Sequence, residues 1–188
     1  MSTLGYVLKN LFNKAIKKAE KDLSIRKQDV VFRALPETYD DFLALPQAKL
    51  ADPYDTAAMT VVAFNAYPKD KELAIRMLNY LRGPRELSNL DLQFYADRFH
   101  DTDYVPRSYF KGATYKNDYT PSEPYTVTPF TNPHSDLQEN MKRMWLTSGG
   151  ADSARYVDVR LAKDGKWYLW EQHMLVDVRR PDSQDPWA

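Results

Sequence analysis

The residues best suited by type to move a proton near neutral pH are three histidines, His100, His134 and His173. The segment His100-Asp101-Thr102-Asp103 is the densest local grouping of imidazole and carboxylate, and Glu171 and His173 stand two residues apart. A hydrolase-like centre would use His100 with Asp103, or Glu171 with His173, as its acid–base pair. The second pair shares a face only if one strand runs straight through both residues. Neither pair comes with an identifiable nucleophile, so a structural or pH-sensing role is favoured over catalysis. The same residues are too few for a metal site, and no metal or other cofactor is expected. No serine sits in a G-x-S-x-G elbow, and the chain has no phosphate-loop or dinucleotide-binding glycine pattern. With no cysteine at all, thiolate catalysis, disulfides, iron–sulfur clusters and cysteine-ligated zinc drop out together.

A second group of residues suggests binding. Between Asp101 and Pro124 lie Tyr104, Tyr109, Phe110, Tyr115 and Tyr119, spaced by prolines and Gly112. A stretch this long without regular structure exceeds the ~12–15 residues usual in compact domains, so it is functional or contains unrecognised elements. It is too aromatic for a solvated linker. With Arg107, its rings Tyr104, Tyr109, Phe110, Tyr115 and Tyr119 would form a stacking surface for a protein or small-molecule partner. The opposing expectation is an ordered covering whose rings pack on the domain while their hydroxyls satisfy loop backbone. Nucleic acid is a poor fit, because Arg107, Lys111 and Lys116 are offset by Asp118 and Glu123. The Ser148–Ser153 segment, with Gly149-Gly150, resembles an anion-binding loop in composition, but the residues after it read as a strand, so a hairpin turn is favoured.

These residues need elements to hold them. The chain of 188 residues has 43% hydrophobic and 28% charged residues, enough for one core of ordinary size, and its mean hydropathy is negative. Lys and Arg number 26, matched by 26 Asp and Glu. The balance hides a split. Residues 1–28 hold seven basic and two acidic residues, +5, and residues 29–188 hold 19 and 24, −5. In the first segment Leu4, Leu8, Leu11, Phe12, Ala15, Ile16, Ala19 and Leu23 fall within about 140° of a helical wheel, with the lysines outside it. This predicts a basic amphipathic helical extension, residues 1–28, ahead of a single domain, residues 29–188. Through residues 4–23 such a helix would adsorb to an anionic membrane surface, dock on a partner, self-associate or cover its own domain. No secretory signal is read here, so a cytoplasmic location is expected.

Within the domain, a short strand is expected over Val30–Leu35. Four helices come next, announced by Thr38 with Asp41, Asp52 with Pro53, Asp70, and Ser88 with Asp91. The second has almost no polar residue from Ala57 to Phe64 and should be central. After residue 124 the period changes to two, giving strands over Tyr125–Phe130, Lys142–Ser148, Arg155–Ala162 and Lys166–Gln172, then a final segment over Met174–Arg179. Val157, Val159 and Leu161 should face inward and Tyr156, Asp158 and Arg160 water. Asp164-Gly165 marks a hairpin. Trp145, Trp167 and Trp170 are expected in the sheet core, with Trp187 pinning the C-terminus. The fold class is therefore α+β, a helical N-terminal half packed on a C-terminal antiparallel β-meander, with an N-terminal amphipathic helix.

Several strings add a likeness to this pattern: Ala34-Leu35-Pro36-Glu37-Thr38-Tyr39, Leu81-Arg82-Gly83-Pro84, Val105 to Thr114, Asn117 to Val127, Ser148 to Ser153 and Asp185-Pro186-Trp187-Ala188. Over about residues 32–188 the chain resembles an uncharacterised bacterial domain family, found mainly in Firmicutes and of unknown function. The resemblance implies no activity and no site residue. It leaves the first 28 residues outside, as the charge split does. A non-catalytic binding domain is the favoured reading, with the hydrolase-like and membrane-surface readings as alternatives.

Overall fold

The computed structural model describes residue 14 and residues 24–187. The expected amphipathic helix over residues 4–23, Lys14 apart, lies outside them. Among the described residues, four helices precede most of an antiparallel sheet, an α+β architecture.

Each helix begins where its cap residue dictates. For α1 (Tyr39–Ala44) the Thr38 hydroxyl accepts from the Asp41 amide at 3.1 Å, and Asp41 accepts in return from the Thr38 amide at 3.0 Å. Asp52 caps α2 (Pro53–Ala66) and Asp70 caps α3 (Lys71–Arg82). Ser88 and Asp91 form a second reciprocal cap at α4 (Asn89–Phe99). Gly83 ends α3 at φ +61°, and a β-carbon there would come within 2.6 Å of the Tyr168 ring, so a larger residue is excluded on both counts. As expected, α2 is buried without interruption from Thr56 to Phe64.

The strands are β1 (Arg26–Lys27), β2 (Val30–Phe32), β3 (Tyr125–Val127), β4 (Phe130–Thr131), β5 (Asp136–Gln138), β6 (Met141–Leu146), β7 (Arg155–Leu161) and β8 (Trp167–His173). One sheet runs β1-β4-β6-β7-β8, with β5 also on β6; β2 and β3 form a separate pair. Strands β1 and β5 are additions to the expected set, and two prolines explain two of the other departures. Phe32 pairs with Tyr125, and the next partner of β2 would be Pro124, which has no N–H, so the strand stops before Leu35. Pro129 likewise divides the expected Tyr125–Phe130 strand, sending β3 to β2 and β4 to the main sheet. Residues 26 and 27 belong to the main sheet through β4, and the Tyr54 hydroxyl donates to the Arg26 carbonyl at 3.2 Å.

Helix α2 packs against β6, β7 and β8, burying Met144, Leu146, Val157, Val159 and Leu169. Trp145 alternates with these residues and stands on the other face, half-buried, as does Trp170; neither supplies the core as expected. Trp167 does pack at the core's margin. Trp187 is 92% exposed, so its ring does not pin the C-terminus on the described residues. Met174–Arg179 carries no strand, but buries Met174, Leu175 and Val178.

Candidate functional site

The two acid–base pairs have different fates. His100 follows α4, with its Nδ1 2.9 Å from Asp101, and both side chains are at least 80% exposed. The hydrogen bond and charge of Asp101 raise the imidazole's pKa. Asp103 instead approaches Arg107 at 3.7 Å, so His100 and Asp103 serve separate partners. His134 lies in a turn, its amide donating to Asn132 at 2.8 Å. Strand β8 does run straight through Glu171 and His173, which therefore share a face, opposite Asp158 and Tyr156 of β7. Glu171 accepts from Arg85 at 2.7 Å, whereas His173 lies 4.5 Å from the Tyr156 ring, so this pair too is divided between partners.

The aromatic segment is ordered by two short 3₁₀ turns, Pro106–Tyr109 and Tyr115–Asn117. Tyr104, Tyr109, Phe110 and Tyr119 are buried. The Tyr109 hydroxyl donates to the Met174 carbonyl at 2.6 Å, and the Tyr119 hydroxyl to that of Arg179. Tyr104 stacks on Tyr119 with ring centroids 5.5 Å apart. Burial raises the pKa of all three phenols, that of Tyr119 to about 12. The Tyr109 and Tyr119 hydroxyls satisfy backbone that the irregular Met174–Arg179 segment leaves unpaired. Arg107 and Tyr115 are half-buried, the latter beneath Arg179 at 4.0 Å. Ser148–Gly150 docks on the same segment. The Gly149 amide donates to the Ser108 carbonyl at 2.8 Å, and the Gly150 amide to its own turn's Ser148 hydroxyl at 3.1 Å. Both amides are thus turned inward, the reverse of an anion-binding loop.

The remaining face of the main sheet joins Tyr156 and Asp158, which periodicity points to water, to Trp145 and Trp170, which are expected in the core. Register aligns Trp145, Tyr156 and His173 in one row across β6, β7 and β8, and Arg143, Asp158 and Glu171 in the next. Arg143 holds Asp158 through two hydrogen bonds, 2.8 and 2.9 Å, and its guanidinium lies 3.7 Å from the Tyr156 ring centroid. That fork leaves Asp158 only 6% exposed, although it sits on the face expected to be wet. Trp145 contacts Phe130 and Tyr156 at 6.5 and 5.3 Å.

A register shift beside Asp158 opposes it to Glu171 but Val159 to Leu169, leaving Trp170 as the extra residue. Its ring lies 4.4 Å from the Arg85 guanidinium and 4.8 Å from that of Arg160. Here a cleft of about 420 Å³ opens, with Arg85, Arg160, Lys163, Glu139, Tyr168 and Trp170 among its walls. The Tyr168 hydroxyl donates to Asp164 at 2.7 Å, and burial together with that carboxylate pushes its pKa up to about 12. Trp145 and Trp170 escape a sequence reading as candidate site residues because tryptophan in a strand reads first as core, and Arg143 and Arg160 escape it because nothing in the sequence shows which rings they join. Their common face depends on a register across the long Gly149-Gly150 turn.

Comparison with curated proteins and with solved structures returned no match. A family described as Domain of unknown function (DUF6935) matches residues 34–182, well over half of the 188-residue chain. Its span takes in α1 to α4, the aromatic segment and β3 to β8. The chain therefore belongs to the domain-of-unknown-function family DUF6935.

Proposed function

We propose that this is a non-catalytic binding domain whose contact surface is the arginine- and aromatic-bearing face of the main sheet. The observation that carries the reading is the pair of rows Trp145–Tyr156–His173 and Arg143–Asp158–Glu171 on the face opposite the core, where Arg143, Trp145, Tyr156 and Glu171 are half-buried, His173 is exposed and Asp158 is buried beneath Arg143. Tryptophan, tyrosine and arginine are the residues that carry most binding energy at protein surfaces, and a sheet holds them rigidly. The aromatic segment then acts mainly as scaffold, and of its expected contact residues Arg107 and Tyr115 are the ones nearest solvent. Both acid–base pairs are engaged elsewhere, which favours binding over hydrolysis. The surplus of cations near Trp170 favours an anionic partner. Among the described residues no helix is long and apolar enough to cross a membrane. We infer a bacterial cytoplasmic location from the family resemblance alone, and keep membrane association as a role for residues 1–28 only.

Fluorescence anisotropy with a labelled poly-glutamate peptide tests the reading. Binding to the full chain should be salt-sensitive and fall about tenfold in Trp145→Ala and in Arg160→Gln. No binding at low salt, or binding indifferent to both substitutions, would contradict it.

A further inference from the structure

We propose that the cleft beside Trp170 binds a small organic phosphomonoester, its apolar body lying along Trp170 and Tyr168 and its phosphate held by Arg160 and Lys163. The inference rests on the binding reading above and names the ligand class of one end of that face. The cleft's volume, about 420 Å³, suits a small ligand, and Pro84, Leu161 and Ala162 give it apolar walls beside the two rings.

The charge assignment decides which anion fits. Arg82 is 4% exposed, donates through Nε to the Arg85 carbonyl at 2.9 Å and faces Asp91 at 3.8 Å. Arg85 donates to Glu171 at 2.7 Å and to the Trp170 carbonyl at 3.1 Å. Both cations are thus compensated, and they fix the turn and Trp170 in place. Arg160 and Lys163 are exposed, and among the described residues neither has a carboxylate within salt-bridge distance. Asp164 is held by Tyr168, which leaves Glu139 as the opposing charge on the cleft wall. Two free cations match the charge of about −1.5 to −2 that a phosphomonoester carries near neutral pH better than they match a single carboxylate. The guanidinium of Arg160 already rests on the Trp170 ring, so its donor fork is ordered before a ligand arrives.

Isothermal titration of the full chain with phenyl phosphate and with inorganic phosphate at pH 7.5 tests the site. Phenyl phosphate should bind at one site and more tightly than inorganic phosphate. Arg160→Gln and Lys163→Gln should each weaken it about tenfold, and Glu139→Gln should tighten it about threefold by removing repulsion. All three side chains stand at the surface, and thermal unfolding of each variant verifies the fold. A phosphotyrosine peptide that binds more tightly than phenyl phosphate, with the same dependence on Arg160 and Lys163, supports the site and assigns the ligand to a modified side chain. Phenyl phosphate binding unchanged in the Arg160→Gln, Lys163→Gln double variant overturns the proposal. So does absence of phenyl phosphate binding while poly-glutamate still binds through Trp145, an outcome that leaves the broader reading standing. Failure of both probes ends both.

Discussion

The Tyr119 hydroxyl occupies the space that a β-carbon on residue 150 would fill. Gly150 is therefore glycine for reasons of contact, and the Ser148–Gly150 turn and the aromatic segment fold as one unit. Gly150→Ala must displace the Tyr119 hydroxyl from the Arg179 carbonyl. We expect a loss of about 2–3 kcal/mol, or roughly 5–10 °C in Tm for a domain of this size, measured by calorimetry. A Tm within a degree of wild type would show that the turn and the segment are not coupled.

The ion pair of Arg143 and Asp158 should be worth more intact than its separate halves suggest. Arg143→Met leaves the buried Asp158 carboxylate without its two donors and should cost about 2–3 kcal/mol in denaturant unfolding. Combining it with Asp158→Asn removes the stranded charge, so the double variant should be more stable than Arg143→Met alone. Simple additivity of the two losses would contradict this.

Asp55, near the start of α2, is pushed up to about 6 from an ordinary 3.8 by burial and by the neighbouring Asp52. Between those values the folded protein holds the proton more tightly than the unfolded chain, so this group's contribution is fully present below pH 3.8 and is lost as pH rises through 6. The stability of Asp55→Asn relative to wild type should accordingly grow from pH 4 to pH 7, reaching about 1 kcal/mol once allowance is made for the partial exposure of the group. A difference independent of pH would show that Asp55 titrates normally.

Truncation separates the extension from the domain. Removing residues 1–23 should keep a cooperative thermal transition, whereas removing residues 1–28 also takes away β1 and the carbonyl partner of Tyr54, and should lower Tm. The full chain should bind anionic vesicles weakly at low salt, and the shorter one should not. Loss of the transition on removing residues 1–23 would place that segment in the core, and vesicle binding equal in the two chains would remove it as a membrane contact.

How far the sequence determined this picture varied by element. Helix starts were legible because Thr38, Asp52, Asp70 and Ser88 act on amides two or three residues away, a local interaction that spacing reveals. The hairpin at Asp164-Gly165 was legible for the same reason, with Gly165 at φ +80°. The strands near Pro124 and Pro129 were not, because a strand ends where its partner lacks a donor, and partners are distant in sequence. The site was the least legible part. Tyr104, Tyr109, Phe110 and Tyr119 have the composition of a binding surface, yet carbonyls of Met174 and Arg179, some 60 residues on, draw the Tyr109 and Tyr119 hydroxyls inward. Trp145 and Trp170 lie on the outer face through strand register and a one-residue bulge, neither of which composition encodes.

The most direct test of the binding reading is residue-resolved NMR on the full chain during titration with poly-glutamate peptide at low salt. The account predicts shifts in the Trp145 and Trp170 indole N–H signals and in backbone amides of β6, β7 and β8, with Tyr104, Tyr109 and Tyr119 unmoved. Shifts confined to residues 101–124, or to His100 and Asp103, or no shifts at all, would contradict it.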